Sequence, residues 1–334
     1  MRITSTGLYL PPRIETAEDL APRLGRSAAW IRSRTGVAAR RVSDLQVEEM
    51  AAAAARDALG DGPPPDLLIN ASTVPRQLVP DTSVFVLREL GLSGVPAFSV
   101  RATCLSFLVA LNTAAALIAA GPWRRVLVVS SDRGTVGRDF DDPKSAALFG
   151  DGAAAAVLVP ARPSRLLAFE MGTWPEGAAL TEIRGGGVFR HPQDPRTTPQ
   201  DNLFAMDGPG IYKLARRKVE DVLDRLFERA GVPREAVDRV IPHQASGLAV
   251  KAIRRYGFPE DRVVDLVAEH GNCVSASIPM TLATAQRRGW IRPGDLLLLM
   301  GTGAGLSVAA ALLRWDPGEH PGEEPGVPDE VAPP

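Results

Sequence analysis

The chain has 334 residues, of which 45% are hydrophobic and 23% charged, with a formal net charge of −1. This balance is ordinary for a globular protein and offers no global charge that would attract nucleic acid or an anionic membrane. The length predicts about two domains. Cys104 and Cys273 are the only cysteines, which excludes a disulfide framework and favours a reducing compartment.

Neither the N-terminal residues nor the longest apolar run predicts a signal peptide or a membrane-spanning segment. The first twelve residues lack the apolar stretch of a signal peptide, and polar residues interrupt the longest apolar run, residues 105–120. We therefore expect a soluble cytoplasmic protein. Residues 316–334 contain six prolines, three glycines and six carboxylates, a composition that predicts a disordered tail.

Helices and strands alternate along the first half of the chain. Apolar patterning and turn residues predict strands at 2–10, 66–71, 95–100, 125–130 and 150–159, and helices at 17–34, 47–59, 82–90 and 104–120. Thr16 is the expected cap of the first helix. Residues 31–41 are locally basic and follow Trp30, so they form either a solvated loop or a surface that stacks on and pairs with a nucleotide phosphate.

The second half repeats the order of the first. It begins with a predicted strand at 161–170. An irregular, proline-rich segment follows at 175–202, and we expect it to cover a substrate. Then follow helices at 209–230, 245–256 and 276–288, strands at 238–242, 263–266, 295–300 and 306–315, and a glycine-rich turn at 301–305. The repeat predicts an α/β protein of two pseudo-symmetric halves in five layers, α/β/α/β/α.

Three polar residues lie where this repeat predicts one cleft. Cys104 ends a predicted strand and opens an apolar helix, where the helix dipole stabilises a thiolate. His243 follows the strand 238–242, and Asn272 occupies the junction that the repeat pairs with the Cys104 junction. A Cys–His pair joins a nucleophile to its base, and an asparagine can hydrogen-bond a developing carbonyl anion.

Each of these residues also has a simpler interpretation. Cys104 alone fits a small buried hydrophobe, His243 a structural histidine and Asn272 a helix cap, and only their joint placement favours catalysis. His191 lies in the irregular segment and His320 in the tail. The cysteines and histidines lack the spacing of metal ligands, so no metal site is predicted. A papain-like protease shares the residue trio, but its local signature is absent.

Six stretches, in order along residues 2–315, carry a family resemblance. The chain resembles the β-ketoacyl-acyl-carrier-protein synthase III family of the thiolase fold. The matching stretches are residues 29–36 (AWIRSRTG), the segment around Cys104, 149–153 (FGDGA), 241–245 (IPHQA), 270–272 (HGN) with 275–279 (SASIP), and the glycine-rich 301–305. The resemblance implies two thiolase-like halves, residues 1–171 with the nucleophile and 172–315 with the histidine and asparagine.

The resemblance also implies roles for particular residues. Cys104 would accept an acyl group from an acyl-thioester, and His243 and Asn272 would promote decarboxylation of a malonyl-type thioester that then condenses with it. The backbone N–H groups of Cys104 and Ala304 would form the oxyanion hole. Coenzyme A or an acyl carrier protein would deliver the substrates to a homodimer that holds no permanent cofactor. The remaining implied contacts are Trp30, Arg34 and Lys144 for coenzyme A, Val79 for the partner's acyl pocket, and Lys213, Arg216, Arg254 and Arg255 for the carrier protein.

Several positions depart from the fatty-acid-initiating pattern and favour a specialised role in fatty acid or polyketide biosynthesis. Ser246 replaces the usual asparagine, Leu248 a basic residue, Cys273 a small polar residue and Ala304 a frequent glycine. Only Lys144 is present where relatives often supply a phosphate-binding arginine.

Two alternatives remain beside the decarboxylating enzyme. One passes the acyl group to an alcohol, an amine or an undecarboxylated thioester, and the other is a non-catalytic dimer partner. Relatives that join two acyl chains use a glutamate in the loop matching residues 74–80, which here holds no carboxylate.

Overall fold

The computed structural model describes residues 1–318, so most of the predicted tail, residues 319–334, lies outside the described residues. The strands are β1 (Arg2–Tyr9), β2 (Arg13–Thr16), β3 (Ala39–Val42), β4 (Leu67–Asn70), β5 (Ala97–Ser99), β6 (Val126–Arg133), β7 (Asp151–Val159), β8 (Leu166–Thr173), β9 (Thr181–Glu182), β10 (Ala205–Met206), β11 (Arg239–Pro242), β12 (Leu296–Gly303) and β13 (Ser307–Arg314). The helices are α1 (Ala17–Leu24), α2 (Ala28–Thr35), α3 (Val47–Leu59), α4 (Thr82–Leu90), α5 (Ser106–Ala120), α6 (Pro143–Ala146), α7 (Gly208–Ala230), α8 (Gly247–Ala252), α9 (Val267–His270) and α10 (Ser277–Arg287).

Two large sheets share one topology. The first has the order β1-β7-β6-β4-β5 and the second the order β11-β12-β13-β8. In the first sheet β4 is parallel to β5 and β6, whereas β7 is antiparallel to β1 and β6. In the second, β11 is parallel to β12, and β13 is antiparallel to β12 and β8. The predicted internal repeat is therefore confirmed, with β12 as the counterpart of β6.

Alternate residues of the central strands build the five layers. Val126 and Val128 of β6 belong to the same buried cluster as α5, and Leu297 of β12 approaches that cluster from the other sheet. The intervening residues of β6 pack with α3, and those of β12 pack with α7. Successive side chains of a strand point to opposite faces, so each sheet is buried on both faces.

The apolar helix α5 forms the middle layer. Residues Thr103–Ala120 are long and apolar enough to cross a membrane by length and composition alone. However, Phe107, Leu108 and Leu111 are fully buried in the cluster that joins the two sheets. A helix enclosed by two sheets is apolar on most of its surface, so packing in the core accounts for its composition.

The predicted helix over residues 17–34 is wrong, because the structure has two helices there. Gly25 follows α1 with φ +59° and donates to the carbonyl of Ala21, a left-handed end that only glycine adopts readily. Ser27 then caps α2 by accepting from the backbone of Trp30 at 3.1 Å. Thr16 caps α1 through a capping box, as predicted.

The predicted strand at 263–266 is also wrong. Val263 forms only an isolated bridge to Val240. The side chain of Gln244 donates to the carbonyl of Val264 at 3.0 Å and accepts from the amide of Leu266 at 2.8 Å. A side chain therefore satisfies backbone groups that a further strand would use, and the second sheet has four strands within residues 1–318.

The chain passes from the first sheet to the second between β7 and β8. This crossover lies before the boundary at residues 171 and 172 that the resemblance implied, because β8 pairs with β13. Asp316, at the start of the predicted tail, is paired with Arg165 at 2.7 Å.

Candidate active site

Cys104 lies in a tight turn that leads from β5 into α5. The amide of Leu105 donates to the carbonyl of Ala102 at 3.1 Å, and the amide of Ser106 donates to that of Thr103 at 3.0 Å. Thr103 has φ +52°, a left-handed conformation that is rare for a β-branched residue. The helix therefore begins two residues after Cys104, not at Cys104 as the sequence predicts.

The predicted thiolate at Cys104 does not agree with this environment. Burial raises the pKa of the Cys104 thiol to about 12, and the nearby carboxylate of Asp132 contributes in the same direction. Loss of solvation disfavours the charged form of a thiol. The free thiol is therefore neutral at pH 7.

His243 approaches the Cys104 turn at the end of β12. Its backbone N–H donates to the carbonyl of Met300 at 2.8 Å, which continues the pairing of β11 with β12. A Cβ on Gly301 would lie 2.8 Å from the Cβ of His243 and 3.2 Å from Leu105 Cδ2. The absence of a side chain at Gly301 thus lets His243 and the residue after Cys104 pack against the same strand end.

The glycine-rich segment continues β12 before it turns. Residues 301–303 belong to the strand, and the turn consists of residues 304–306, so the predicted turn over 301–305 starts too early. A Cβ on Gly303 would overlap Thr103 Oγ1. Ala304 therefore follows a glycine that is packed against the residue before Cys104.

The His243 imidazole is buried and neutral. Burial lowers its pKa to about 4, and its Nδ1 has no hydrogen-bond partner among residues 1–318. A neutral imidazole has one N–H donor and one acceptor nitrogen. At pH 7 this side chain can thus donate a hydrogen bond without carrying a charge.

Asn272 is fixed by contacts to two other loops. Its backbone forms a bridge beside Phe149, donating to Leu148 at 2.8 Å and accepting from Gly150 at 3.1 Å. Its side-chain amide donates to the carbonyl of Ala245 at 3.4 Å, two residues beyond His243. An amide carries two N–H groups, so one donor remains available for a ligand.

The residues expected to bind coenzyme A lie on neighbouring short helices. Trp30 and Arg34 belong to α2, which packs against α6 with Lys144 and against α8. Arg34 and Lys144 are exposed, and Trp30 is half-buried. A Cβ on Gly36 would lie 2.7 Å from the Cα of Gly247, so α2 closely approaches the segment after His243.

The four expected carrier-protein residues share one exposed surface, which we call the basic face. Lys213 and Arg216 belong to α7, and Arg254 and Arg255 belong to the turn Ile253–Tyr256. The hydroxyl of Tyr256 donates to the carbonyl of Arg216 at 3.4 Å, which holds the turn against the helix.

Val79 is the predicted site residue that the structure does not bring to a pocket of its own chain. Its side chain is 81% exposed in the loop of residues 73–81. It therefore lines no enclosed pocket of its own subunit.

Several residues that support the site are not among the site residues predicted from the sequence. Gln244 anchors the segment after His243. Phe204, two residues beyond the irregular segment, packs edge-on against Phe149 with ring centroids 4.7 Å apart. Asp132 is fully buried at the end of β6. The polar run of residues 130–132 after four buried apolar residues is the signal in the sequence for Asp132, although the strand predicted here ends at residue 130.

No cluster of three or more His, Cys, Asp or Glu side chains suited to a metal ion occurs within residues 1–318.

The duplicated five-layer fold, with a half-buried thiol and a buried imidazole and amide at one end of the strands, defines a thiolase-fold condensing enzyme, an acyltransferase. The sequence profile "3-Oxoacyl-[acyl-carrier-protein (ACP)] synthase III" matches residues 98–175, and the profile of its C-terminal part matches residues 227–315. Beta-ketoacyl-[acyl-carrier-protein] synthase III of Laribacter hongkongensis is 36% identical, covering 94% of this chain and 99% of its own.

Solved structures agree with the sequence comparisons. The Thermus thermophilus synthase III is similar at a TM-score of 0.86 with 34% identity, covering 95% of this chain and 100% of its own. The priming β-ketosynthase of the R1128 polyketide pathway is similar at 0.86 with 30% identity, covering 95% and 97%. The chain belongs to the 3-oxoacyl-[acyl-carrier-protein] synthase III family, and it is a ketosynthase III-type condensing enzyme.

Proposed function

We propose that Cys104 carries the acyl group during the reaction and that His243 and Asn272 promote decarboxylation of a malonyl-type thioester. The observation that carries this proposal is the convergence at one strand end. Gly301 contacts His243 and Leu105, Gly303 contacts Thr103, and Asn272 is bonded to the segment after His243.

In the first half-reaction the sulfur of Cys104 attacks the carbonyl carbon of an acyl-thioester. The free thiol is neutral at pH 7, so its proton passes to solvent as the sulfur–carbon bond forms, and the departing donor sulfur later takes up a proton from solvent. The tetrahedral oxyanion accepts hydrogen bonds from the backbone N–H groups of Cys104 and Ala304. Its collapse breaks the carbon–sulfur bond of the donor and releases the donor thiol with a proton.

In the second half-reaction the malonyl thioester loses carbon dioxide. The electron pair of the broken carbon–carbon bond forms an enolate, and His243 and Asn272 donate hydrogen bonds to its oxygen. Neutral donors in a buried site stabilise developing charge without solvent reorganisation. The enolate carbon attacks the acyl-Cys104 carbonyl, and the thiolate that leaves regains a proton.

Coenzyme A and carrier-protein thioesters are the proposed substrates, and they use different surfaces. Trp30, Arg34 and Lys144 would contact the nucleotide end of coenzyme A, since α2 and α6 neighbour the segment after His243. The basic face would receive an acidic carrier protein by charge complementarity. No permanent cofactor and no metal is part of this proposal.

We propose a homodimer with β5 at its centre, in which Val79 closes the acyl pocket of the partner. β5 is an edge strand of the first sheet. Around it, Leu78, Val84 and Phe98 are 63%, 50% and 38% exposed, a cluster of apolar side chains that contact with a partner would bury. We place the enzyme in the cytoplasm of its cell.

The second candidate function keeps acyl-Cys104 but transfers the acyl group to an alcohol, an amine or a second thioester without decarboxylation. Ser246, Leu248 and Ala304 depart from the fatty-acid-initiating pattern, which favours a specialised acyl donor or acceptor. These departures are therefore compatible with transfer without decarboxylation. Asn272, with its free amide donor, favours decarboxylation.

Intact-mass analysis after incubation with a panel of acyl-CoAs and acyl-carrier proteins tests the first half-reaction. We expect one acyl group per chain in the wild type and none in Cys104→Ala. His243→Ala and Asn272→Ala should still load the acyl group, yet lose about 10²–10³-fold in carbon dioxide release from the malonyl donor. If no donor adds mass at Cys104, the proposal is wrong.

A further inference from the structure

The duplication places different residues at equivalent ends of the two central strands. The amide of Ala71 donates to the carbonyl of Val129 at 2.7 Å, and the amide of His243 donates to that of Met300 at 2.8 Å. These two bonds align the halves, so position 129 matches position 300. Counting three residues onward, Asp132 at the end of β6 matches Gly303 at the end of β12.

The loops that face these two positions are also equivalent. Thr103 and Val274 are the two residues other than glycine with positive φ in residues 1–318, and each has φ +52°. Each is followed three residues later by the serine that begins the inner helix, Ser106 or Ser277. Cys104 therefore matches Ser275.

The loops that hold Cys104 and Ser275 face different residues. Gly303 packs against Thr103 and has no side chain, so it offers no carboxylate to the turn at Cys104. In the other half, Asp132 fills the corresponding space and accepts hydrogen bonds from the Ser275 amide at 3.0 Å and from the Ser275 hydroxyl. The turn at Cys104 thus lacks the buried carboxylate acceptor that its counterpart at Ser275 has.

Asp132 also binds the segment that leaves β4. Its carboxylate accepts from the amides of Thr73 and Val74, each at 3.1 Å. A fully buried carboxylate with four donors from two separate segments holds both in fixed positions.

From Ser275 a short chain of contacts leads to the amide of Asn272. The next residue back, Val274, donates its backbone N–H to Asn272 Oδ1 at 2.9 Å. This bond fixes which side of the Asn272 amide carries the donor, so movement of Ser275 would rotate or shift that donor.

We propose that Asp132 is a positioning residue that acts through Ser275 and Val274 to hold the Asn272 donor where the enolate oxygen forms. This inference rests on the proposed role of Asn272. It assigns Asp132 no contact with substrate, and it predicts an effect on the malonyl half-reaction in preference to the acyl-loading half-reaction.

The test measures the two half-reactions separately in Asp132→Asn and Ser275→Ala. Asparagine keeps the size of Asp132 but presents an NH₂ group to donors. We expect acyl loading of Cys104 within about threefold of wild type and carbon dioxide release reduced about 10²-fold, since small displacements of a positioned group have effects of this size. Ser275→Ala keeps the backbone donor, so we expect a smaller loss in the same half-reaction.

Asp66→Asn is the matched control. Asp66 accepts from the amides of Arg124 and Arg125 at the opposite end of β6, so its replacement removes comparable carboxylate bonds away from the site. We expect it to lower the melting temperature without separating the half-reactions.

Equal losses in both half-reactions, or unchanged carbon dioxide release in Asp132→Asn, would overturn the inference. If Asp132→Asn does not fold, Ser275→Ala decides alone: a selective loss of carbon dioxide release supports the inference, and wild-type release contradicts it. If the wild-type enzyme itself neither loads an acyl group nor releases carbon dioxide, the proposed function fails instead.

Discussion

A Cβ on Gly301 would lie only 2.8 Å from the Cβ of His243, so His243 packs closely against this glycine near the end of β12. The same Gly301 position is 3.2 Å from Leu105, the residue after Cys104. This packing sets the spacing between the two side chains to which we assign chemistry, and β12 serves as the common support.

Gly301→Ala should therefore displace His243 or the Cys104 turn. Protein cores yield little to an added methyl group, and overpacking costs about 1–3 kcal/mol of stability. We expect a lower melting temperature and a loss of about 10²-fold in condensation activity, since catalytic groups tolerate little displacement.

Gly208→Ala is the matched control, because its Cβ would meet only Met206 Cε at 3.8 Å. Wild-type condensation in Gly301→Ala would show that the close packing at this strand end does not position His243.

His243 should make stability depend on pH. Its folded-state pKa is lowered from 6.5 to about 4, so the unfolded chain binds a proton that the folded chain excludes. The neutral imidazole contributes its full stabilisation above pH 6.5. The free energy of unfolding then falls progressively between pH 6.5 and pH 4, by about 3 kcal/mol at most.

We expect urea unfolding to show that His243→Gln loses less stability than the wild type between pH 6.5 and 4. The exposed His191, replaced by Gln, should follow the wild-type curve. A His243→Gln curve parallel to the wild type would contradict a neutral buried imidazole.

Arg34→Ala should weaken binding of coenzyme A thioesters. An exposed guanidinium that binds phosphate contributes about 1.5–3 kcal/mol, so we expect KM for acyl-CoA to rise about tenfold or more. The same acyl group delivered on a carrier protein should be less affected.

Arg32→Ala is the control on the same helix, because Arg32 is already paired with Glu18 at 2.5 Å. An unchanged KM for acyl-CoA in Arg34→Ala would show that Arg34 of α2 does not contribute to binding of coenzyme A.

Charge reversal on the basic face should act on carrier-protein substrates only. For Lys213→Glu with Arg254→Glu we expect a higher KM for malonyl-carrier protein and no change for malonyl-CoA. The difference from wild type should shrink at high salt, since exposed charges are screened. Arg225→Glu, also on α7 but paired with Glu170 at 3.6 Å, is the control. Equal effects on both malonyl donors would argue against docking at this face.

Local signals in the sequence predicted much of the fold. The bounds of α3 and α4 agree with the prediction, because Gly60 and Gly91 end them and Gln46 and Asp81 start them. The buried strands were recognisable as continuous apolar runs. The prediction failed where a single residue redirected the backbone, at Gly25 within 17–34 and at Gln244, whose side chain replaces strand pairing near Val264.

The site was predictable in its residues but not in its electrostatics. The repeat and the resemblance indicated Cys104, His243 and Asn272. Loss of solvation is the main cause of the raised pKa of the Cys104 thiol, and no local pattern in the sequence encodes it. Likewise, the contact of Asp132 with Ser275 joins residues from different halves.

The most direct test starts from isolated acyl-Cys104 enzyme mixed with a malonyl thioester in a single turnover. We expect each acyl group lost from Cys104 to yield one carbon dioxide and one β-ketoacyl product, and His243→Ala and Asn272→Ala to keep their acyl group for much longer. Loss of the acyl group to an acceptor without release of carbon dioxide would contradict decarboxylative condensation and support transfer without decarboxylation.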